Sequence, residues 1–275
     1  KVVFYFGKSP KTIDGIKIKI TVPLPKIQKK IKYFSVSDGK FIFYFKKRYK
    51  NYIIGKSLSK FTLLTKQGLN ISYSKYNEKK QLEFYLKFLK KCKRKIKFDA
   101  IGLSFIQTGK VTKLIKSKFQ NLAIISKIEN SEGIKNLKSI CQNSNGIIID
   151  RGDLAAEIGD EKLFDSILEI SNECNKHCIP LIMATENLSS MLTKNSPNKN
   201  EIISLGFSNL LKVDRIMLSE ETAISNNWKR TLKWLNKYLI SVKKKRAEKT
   251  QTKKEDFFRK IFKSINNIPV ILFTK

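Results

Sequence analysis

Short apolar runs, separated by helix-length segments, repeat along the middle of the chain. The runs are "DAIGLSF" at 99–105, "LAIISKI" at 122–128, "GIIID" at 146–150, "IPLIMAT" at 179–185 and "VDRIMLS" at 213–219. The segments between them that we expect to be helical include 110–118, 132–143, 160–176 and 186–211. Strands that alternate with helices are typical of parallel βαβ units, so this part of the chain is predicted to form an α/β fold.

The first 75 residues follow a different pattern, in which apolar and polar residues alternate. After the strand-like run "VVFYF" at 2–6, the stretches "GIKIKITVPL" and "YFSVSDGKFIFYFKK" both alternate. The second stretch carries Asp38 and Gly39 between two strand-like runs, which is a hairpin signal. We therefore predict a small antiparallel β domain, inserted between the first strand and the βα series.

Each apolar run of the βα series ends in polar residues. These are Ser104, Lys127 with Glu129, Arg151 with Asp153, Thr185, and Ser219 with Glu221. Polar side chains at the carboxyl ends of successive parallel strands are typical of a barrel active site. Five runs together with 2–6 make six strands, whereas a complete barrel has eight. We predict a (β/α)8 TIM-type barrel, incomplete at its N-terminus. Its predicted parts are a barrel strand at 1–12, the inserted β domain at 13–72, barrel βα units at 73–243, and a linker with the start of a C-terminal domain at 244–275.

Two carboxylates, Glu129 and Asp153, stand 24 residues apart, which is about one βα unit. Adjacent parallel strands would bring both to the same rim, where two oxygen ligands suit Mg²⁺. Lys127 points to the same face as Glu129, so its ammonium could stabilise negative charge on an oxygen. The backbone amides of Gly152 and Asp153, at a strand-to-helix turn, could bind an anion. A purely structural alternative is that Lys127 and Arg151 form salt bridges with the two carboxylates.

The composition adds a strong positive charge. The chain has 275 residues and a formal net charge of +33, which is compatible with binding to nucleic acid or to anionic substrates. Lysines occur in every segment, however, and Lys, Ile, Asn and Phe are abundant together, as A/T-rich codons would produce. We therefore favour compositional drift and do not expect nucleic-acid binding.

Neither a membrane nor a secretory route is indicated. No apolar run approaches the ~20 residues of a membrane span, no signal peptide opens the sequence, and four cysteines show no disulfide framework. We expect a cytoplasmic protein with no membrane partner. Both ends interrupt strand-like runs, so we also expect a longer product, or one whose ends have eroded.

The motifs carry a family resemblance. "IISKIENSEGIKNLKSICQNSNGIIIDRGDLAAEIG" closely resembles the central barrel of pyruvate kinase, where a Lys-Ile-Glu-Asn strand end precedes an Ala-Arg-Gly-Asp-Leu-Gly turn. "IPLIMATENLSSM" resembles the family's Ala-Thr-Gln-Met-Leu segment, and "VDRIMLSEETA" its Met-Leu-Ser-Gly-Glu-Thr-Ala. "DAIGLSFI", "KQGLNI" and "VSDGKF" are similar to its Ala-Ser-Phe-Ile strand, its Lys-Gly-Val-Asn-Leu segment and the Asp-Asp-Gly-Leu hairpin of its lid domain. The similarity spans about 30–235 in the family's order.

This resemblance implies phosphoryl transfer from phosphoenolpyruvate to ADP, which gives pyruvate and ATP in the last step of glycolysis. By matching position, Glu129 and Asp153 would hold Mg²⁺, with Mn²⁺ as an alternative. Lys127 would neutralise charge on the phosphoryl group and the enolate. Arg151, in the matching turn, is a further catalytic candidate.

The resemblance also implies substrate contacts and partners. Thr185 and the backbone of Gly152 and Asp153 would contact the substrate carboxylate, and Ser104 would lie near the phosphoryl and monovalent-cation region. Asp38 would belong to a lid that closes over ADP and excludes water. A homotetramer is the oligomer that the resemblance implies.

Several departures from the family pattern change these expectations. The family's Asp-Thr-Lys-Gly-Pro-Glu motif aligns with "FGKSPK", so Phe6 and Gly7 replace monovalent-cation ligands. Lys11 stands where many members have glutamate, and potassium-independent members resemble this chain in carrying lysine there. These replacements argue against a K⁺ site, and Lys11 is a candidate substitute for the ion. The strands that carry an Asn-Phe-Ser-His-Gly motif and a phosphoryl-binding arginine have no counterpart here.

Two other interpretations stay open. One is a different Mg²⁺-enolate barrel, such as a citrate-lyase-type aldolase, although the lid hairpin and the Ser-Glu-Glu-Thr motif argue against it. The other is a catalytically inactive, degenerate barrel that serves as a basic binding protein. The missing strands, the charge and Phe6 favour the degenerate barrel, whereas the intact set of Lys127, Glu129, Asp153 and Thr185 argues against it.

Overall fold

Two six-stranded sheets organise the chain, and a computed structural model describes residues 1–21, 24–28, 30–37, 39–63, 68–246 and 271–274. In chain order the strands are β1 (Val2–Phe6), β2 (Ile16–Ile20), β3 (Lys26–Ile27), β4 (Tyr33–Val36), β5 (Phe41–Arg48), β6 (Tyr52–Ser57), β7 (Leu69–Asn70), β8 (Ser74–Lys75), β9 (Ala100–Leu103), β10 (Ala123–Ile128), β11 (Gly146–Asp150), β12 (Leu181–Ala184), β13 (Arg215–Ile216) and β14 (Ile271–Thr274). The helices are α1 (Glu78–Lys93), α2 (Gly109–Lys118), α3 (Ser131–Lys135), α4 (Leu137–Asn143), α5 (Arg151–Ile158), α6 (Leu163–Lys176), α7 (Lys199–Leu210), α8 (Glu220–Ala223) and α9 (Trp228–Arg246).

One sheet is parallel throughout, with the strand order β13-β12-β11-β10-β9-β14. Helices connect its consecutive strands from β9 to β13, because the long crossover between parallel neighbours needs such a segment. This confirms the predicted α/β fold with βα units. Within the described residues this sheet has six strands, fewer than the eight of a closed barrel, as the prediction of an incomplete barrel requires.

The last described strand joins this parallel sheet. β14 runs beside β9 with Ile271 opposite Ala100, although the sequence pattern predicts a C-terminal domain for this range. Without β14, the outer side of β9 would present unpaired backbone N–H and C=O groups. The backbone of Ile271–Thr274 pairs with that edge, which explains the place of β14 here.

The first strand lies in the other sheet, not in the barrel where the pattern predicts it. β1 runs parallel to β2 and antiparallel to β6, within the order β2-β1-β6-β5-β4-β7. An aromatic core explains the difference, since the ring of Phe4 meets Phe34 edge-on at 5.5 Å and Phe43 at 5.2 Å. Aromatic pairs of this kind stabilise beyond the area they bury. The mixed sheet thus gains a strand that the barrel loses.

The predicted hairpin is present in the mixed sheet. β4 and β5 are antiparallel, with Tyr33 opposite Tyr44 and Val36 opposite Phe41. The turn between them includes Asp38, which lies outside the described residues, so its predicted role in the lid stays a prediction.

The parallel sheet separates two apolar clusters, because successive residues of a strand point to opposite faces. One face packs Ile125 and Ile148 with Ile182 and two alanines, and corresponds to the barrel interior. The other face packs against the helices. Lys127 follows Ile125 by two residues and Asp150 follows Ile148 by two, so both polar side chains continue the rows of the interior face beyond the apolar layer.

Candidate functional site

A buried ammonium group lies between two carboxylates at the ends of β10 and β11. The Nζ atom of Lys127 is 2.6 Å from Oε1 of Glu129 and 2.9 Å from Oδ2 of Asp150. The three residues are 2%, 0% and 3% exposed, respectively. Since β10 and β11 are parallel neighbours, with Lys127 opposite Ile148, their carboxyl ends meet at one rim. Burying charged groups this deeply costs free energy unless they are paired, so these ion pairs are what allow the three groups to lie together at the rim.

A third carboxylate completes the cluster. Asp153 lies in the first turn of α5 and is 3% exposed. One carboxylate oxygen each from Glu129, Asp150 and Asp153 can be chosen so that all three lie within 4.8 Å of one another. The structure therefore brings together the predicted pair, Glu129 and Asp153, and adds Asp150, to which the sequence pattern assigned no role.

The second oxygen of Glu129 is also held. Oε2 accepts a short hydrogen bond from the backbone N–H of Phe105, at the turn that follows β9. Ser104, the predicted residue beside it, is buried, and its backbone carbonyl accepts hydrogen bonds from Tyr85 and Gln81. Glu129 is thus fixed between Lys127 on one side and the end of β9 on the other.

The cluster has an excess of negative charge, which the pKa shifts reflect. Burial raises the pKa of Glu129 to about 8; the ammonium of Lys127 opposes this shift, while Asp153 and Asp150 add to it. Burial alone would lower the pKa of Lys127, but attraction to Glu129 and Asp150 outweighs burial and raises it. Because three carboxylates face one ammonium, Lys127 stays charged, and Glu129 shares the attraction of that ammonium with two further acids.

Arg151 points away from the carboxylates. Its guanidinium donates to the carbonyl oxygens of Ala184 and Thr185, to Ser204 Oγ at 2.7 Å and to Asn187 Oδ1 at 3.1 Å. The structural alternative, in which both cations form salt bridges, therefore fits Lys127 but not Arg151. Arg151 instead connects the start of α5 with the end of β12.

That strand end carries two residues with left-handed backbone. Thr185 has φ of +61° and Glu186 has φ of +50°, a region that β-branched residues such as threonine rarely adopt. The hydroxyl of Thr185 accepts a hydrogen bond from the backbone N–H of Gly152 at 3.2 Å and donates to the carbonyl of Ala184 at 2.7 Å. The structure thus brings predicted Thr185 and Gly152 together at the start of α5.

Comparison with known proteins decides the family. Residues 11–231 match the family model described as the pyruvate kinase barrel domain. The chain belongs to the pyruvate kinase family. The predicted resemblance is confirmed, and the matched range contains Lys127 and all three carboxylates.

Individual relatives agree over a shorter stretch. Pyruvate kinase 1 of Trypanosoma brucei brucei is 39% identical over 129 residues, which cover 46% of this chain and 26% of that protein. The pyruvate kinase of Encephalitozoon cuniculi is 38% identical over 130 residues, which cover 46% of this chain and 30% of that protein. A cytosolic pyruvate kinase isozyme of Nicotiana tabacum is 36% identical over 129 residues, which cover 46% of this chain and 25% of that protein. The aligned stretch therefore spans between a quarter and a third of these relatives' length.

A solved structure agrees on the fold. A pyruvate kinase from Cryptosporidium parvum superposes with a TM-score of 0.65 at 24% sequence identity. The match covers 88% of this chain and 53% of that chain. At this identity the likeness shows that the two proteins share a fold.

The mixed sheet contacts the carboxylate cluster through one amide. Asn70, at the end of β7, is 4% exposed and donates from Nδ2 to Oδ1 of Asp153 at 2.9 Å. Nearby, the backbone N–H of Ser74 donates to Oε1 of Glu157 in α5 at 3.2 Å. Burial raises the pKa of Glu157 to about 8, although hydrogen bonds from Ser74 and Ser131 oppose the shift. The sequence pattern did not single out Asn70, although its "GLN" lies within a segment that resembles the family's.

The residues that align with the family's monovalent-cation motif lie at the end of β1 and after it. Phe6 ends β1, Gly7 follows it with φ of +79°, and Lys11 is an exposed residue between β1 and β2. Among the described residues, no ion pair joins Lys11 to the carboxylate cluster. Its role as a substitute cation stays a prediction.

Proposed function

We propose that this chain forms the catalytic barrel of a pyruvate kinase, which transfers the phosphoryl group of phosphoenolpyruvate to ADP. One observation carries the proposal: the buried ammonium of Lys127 lies among three carboxylates at the carboxyl ends of parallel strands, within the range that matches the family. Phosphoryl transfer depends on positioning and on electrostatic stabilisation of charged oxygens, and such a cluster can supply both.

The residues fit a divalent metal. When ionised, three carboxylates and one ammonium leave two negative charges in excess in a buried place, and hard oxygen ligands of this kind suit Mg²⁺ or Mn²⁺. Glu129 and Asp153 would hold the ion. When bound, it would neutralise charge and orient substrate oxygens.

The protein's own groups supply the other interactions with the substrate. The ammonium of Lys127 stabilises negative charge that develops on a substrate oxygen. Thr185 and the amides of Gly152 and Asp153 bind the substrate carboxylate, at a helix N-terminus that favours anions. Ser104 is the proposed contact on the phosphoryl side of the substrate. The contacts of Arg151 support a positioning role, because its guanidinium fixes the carbonyl group of Thr185.

The mixed sheet is proposed as the lid over ADP, with Asp38 in its hairpin turn. We retain Lys11 as the proposed substitute for a monovalent cation, and a homo-oligomer as the proposed assembly. In the described part of the chain, no helix has the length and apolar character needed to cross a membrane. A cytoplasmic location is proposed on the strength of the related cytosolic isozyme.

An inactive binding protein is the second candidate. The observation that favours it is the position of β1 in the mixed sheet, since the parallel sheet then has six strands among the described residues, fewer than a closed barrel. The net charge of +33 would then serve an anionic partner.

Turnover distinguishes the two candidates. Pyruvate formation from phosphoenolpyruvate and ADP should require Mg²⁺ in the full-length gene product. Glu129→Gln and Lys127→Met should each reduce kcat by at least about a hundredfold, as loss of one electrostatic group at a reacting oxygen commonly does. Glu83→Gln and Lys113→Met, which change exposed residues, are the matched controls. Near-normal turnover in either site variant would refute the assigned roles, and a folded wild-type protein without turnover would favour the binding protein.

A further inference from the structure

Asp150 is a buried acid that the proposed reaction does not use. It ends β11 opposite Ala184 of β12, on the face that continues the barrel interior. The family's turn reads Ala-Arg-Gly-Asp-Leu-Gly, whereas this chain reads "DRGDLA" at the same place, so Asp150 replaces an alanine. The structure places this additional carboxylate 2.9 Å from the ammonium of Lys127.

The substitution changes the charge of the site. Lys127, Glu129, Asp150 and Asp153 together carry one positive and three negative charges when ionised, a net charge of −2. With alanine in place of Asp150, the net charge would be −1. After a divalent cation binds, the site would be neutral in this chain and would carry +1 in the alanine form. An anionic substrate therefore meets a less favourable potential here, and a dication a more favourable one.

We propose that Asp150 is a specificity-determining residue that strengthens divalent-cation binding at this site and weakens the binding of an anionic substrate, relative to alanine. The inference rests on the proposed function, since it concerns the metal and the substrate of that same site. Short range makes the effect large: charges a few ångströms apart interact strongly even at the high effective dielectric constant of proteins. The contact of Lys127 with Glu129 does not involve Asp150, so we expect the ammonium to remain held when Asp150 is removed.

Opposite shifts in two binding constants test the proposal. Mn²⁺ binding is measured by electron paramagnetic resonance, and phosphoenolpyruvate binding by calorimetry at saturating Mg²⁺, in the full-length protein. For Asp150→Ala and Asp150→Asn, we expect the Kd for Mn²⁺ to rise at least about tenfold and the Kd for phosphoenolpyruvate to fall at least about tenfold. Asp165→Asn, at an exposed position of α6, is the charge-matched control and should change neither constant.

A purely structural role would move the two constants differently. If Asp150 only maintained the fold, its loss would weaken both ligands; that result, or two unchanged constants, would overturn the proposal. Asp150→Asn preserves shape, so it separates charge from folding if Asp150→Ala does not fold. Both measurements are independent of turnover. Absence of pyruvate formation in every protein would thus count against the proposed function, while opposite shifts in the binding constants would still support the role of Asp150.

Discussion

Removal of the ammonium of Lys127 should destabilise the fold unless a metal replaces it. Lys127→Met keeps an unbranched side chain, shorter by the terminal nitrogen, but leaves three buried carboxylates without their cation. Breaking a buried ion pair by removing one partner typically costs about 3–5 kcal/mol. Two of the remaining carboxylates, at a separation of at most 4.8 Å, would repel each other by about 3–4 kcal/mol at an effective dielectric constant of about 20.

The remaining carboxylates can relieve this repulsion by taking up a proton, so we expect the loss to stay near 3–5 kcal/mol. Urea unfolding gives the free energy directly, and a thermal scan should show a Tm lower by roughly 10 °C. Millimolar Mn²⁺ should restore a large part of the loss, because an ion that binds only the folded state stabilises it. Lys113→Met, at an exposed position, is the control for loss of a lysine charge. A Tm for Lys127→Met within 2–3 °C of wild type, or a Mn²⁺ response no larger than that of the control, would refute the reasoning.

Three further predictions concern the surroundings of the cluster. Asn70→Ala should cost about 1.5–3 kcal/mol by urea unfolding, because it removes a hydrogen bond to a charged group of Asp153; an unchanged midpoint would contradict it. Glu157 has a pKa raised from 4.5 to about 8 in the folded state, so the folded state binds more protons and the stability of the wild type should fall as pH rises from about 4.5 to 8. Glu157→Gln should make this dependence of stability on pH shallower. An identical dependence in the variant would count against the raised pKa. Thr185→Ser should keep the contact with Gly152 and nearly normal affinity for phosphoenolpyruvate. Thr185→Val should weaken that affinity at least about tenfold in calorimetry, because it removes a hydrogen-bonding group. Equal affinities in the two variants would exclude a role for the hydroxyl.

Strand β10 shows why part of the site could be predicted from sequence. Alternation puts Ile125, Lys127 and Glu129 on one face, and the interval to Asp153 corresponds to one βα unit, so local spacing alone places these groups at one rim. Asp150 lies two residues after Ile148, and the same alternation could have identified it. The prediction of a metal ligand names Asp153 instead, because that residue lies in the recognisable motif three positions later.

Long-range pairing could not be predicted in the same way. The run "VVFYF" is apolar on both faces, so its pattern indicates a buried strand without indicating which sheet it joins; the rings of Phe34 and Phe43 decide that. β14 likewise pairs with β9 across more than 160 residues, as Ile271 opposite Ala100 shows. Asn70 reaches Asp153 over 83 residues. Contacts at such separations depend on tertiary packing, which no local period encodes.

The central claim is that the carboxylates around Lys127 form a divalent-metal site. The most direct measurement is an anomalous difference map, recorded at the manganese edge, from crystals of the full-length protein grown with MnCl₂. We predict one strong peak within bonding distance of a carboxylate oxygen of Glu129 and one of Asp153, and no such peak in crystals of Glu129→Gln. A well-ordered cluster with Lys127 still bridging Glu129 and Asp150, and no peak at millimolar Mn²⁺, would contradict the claim.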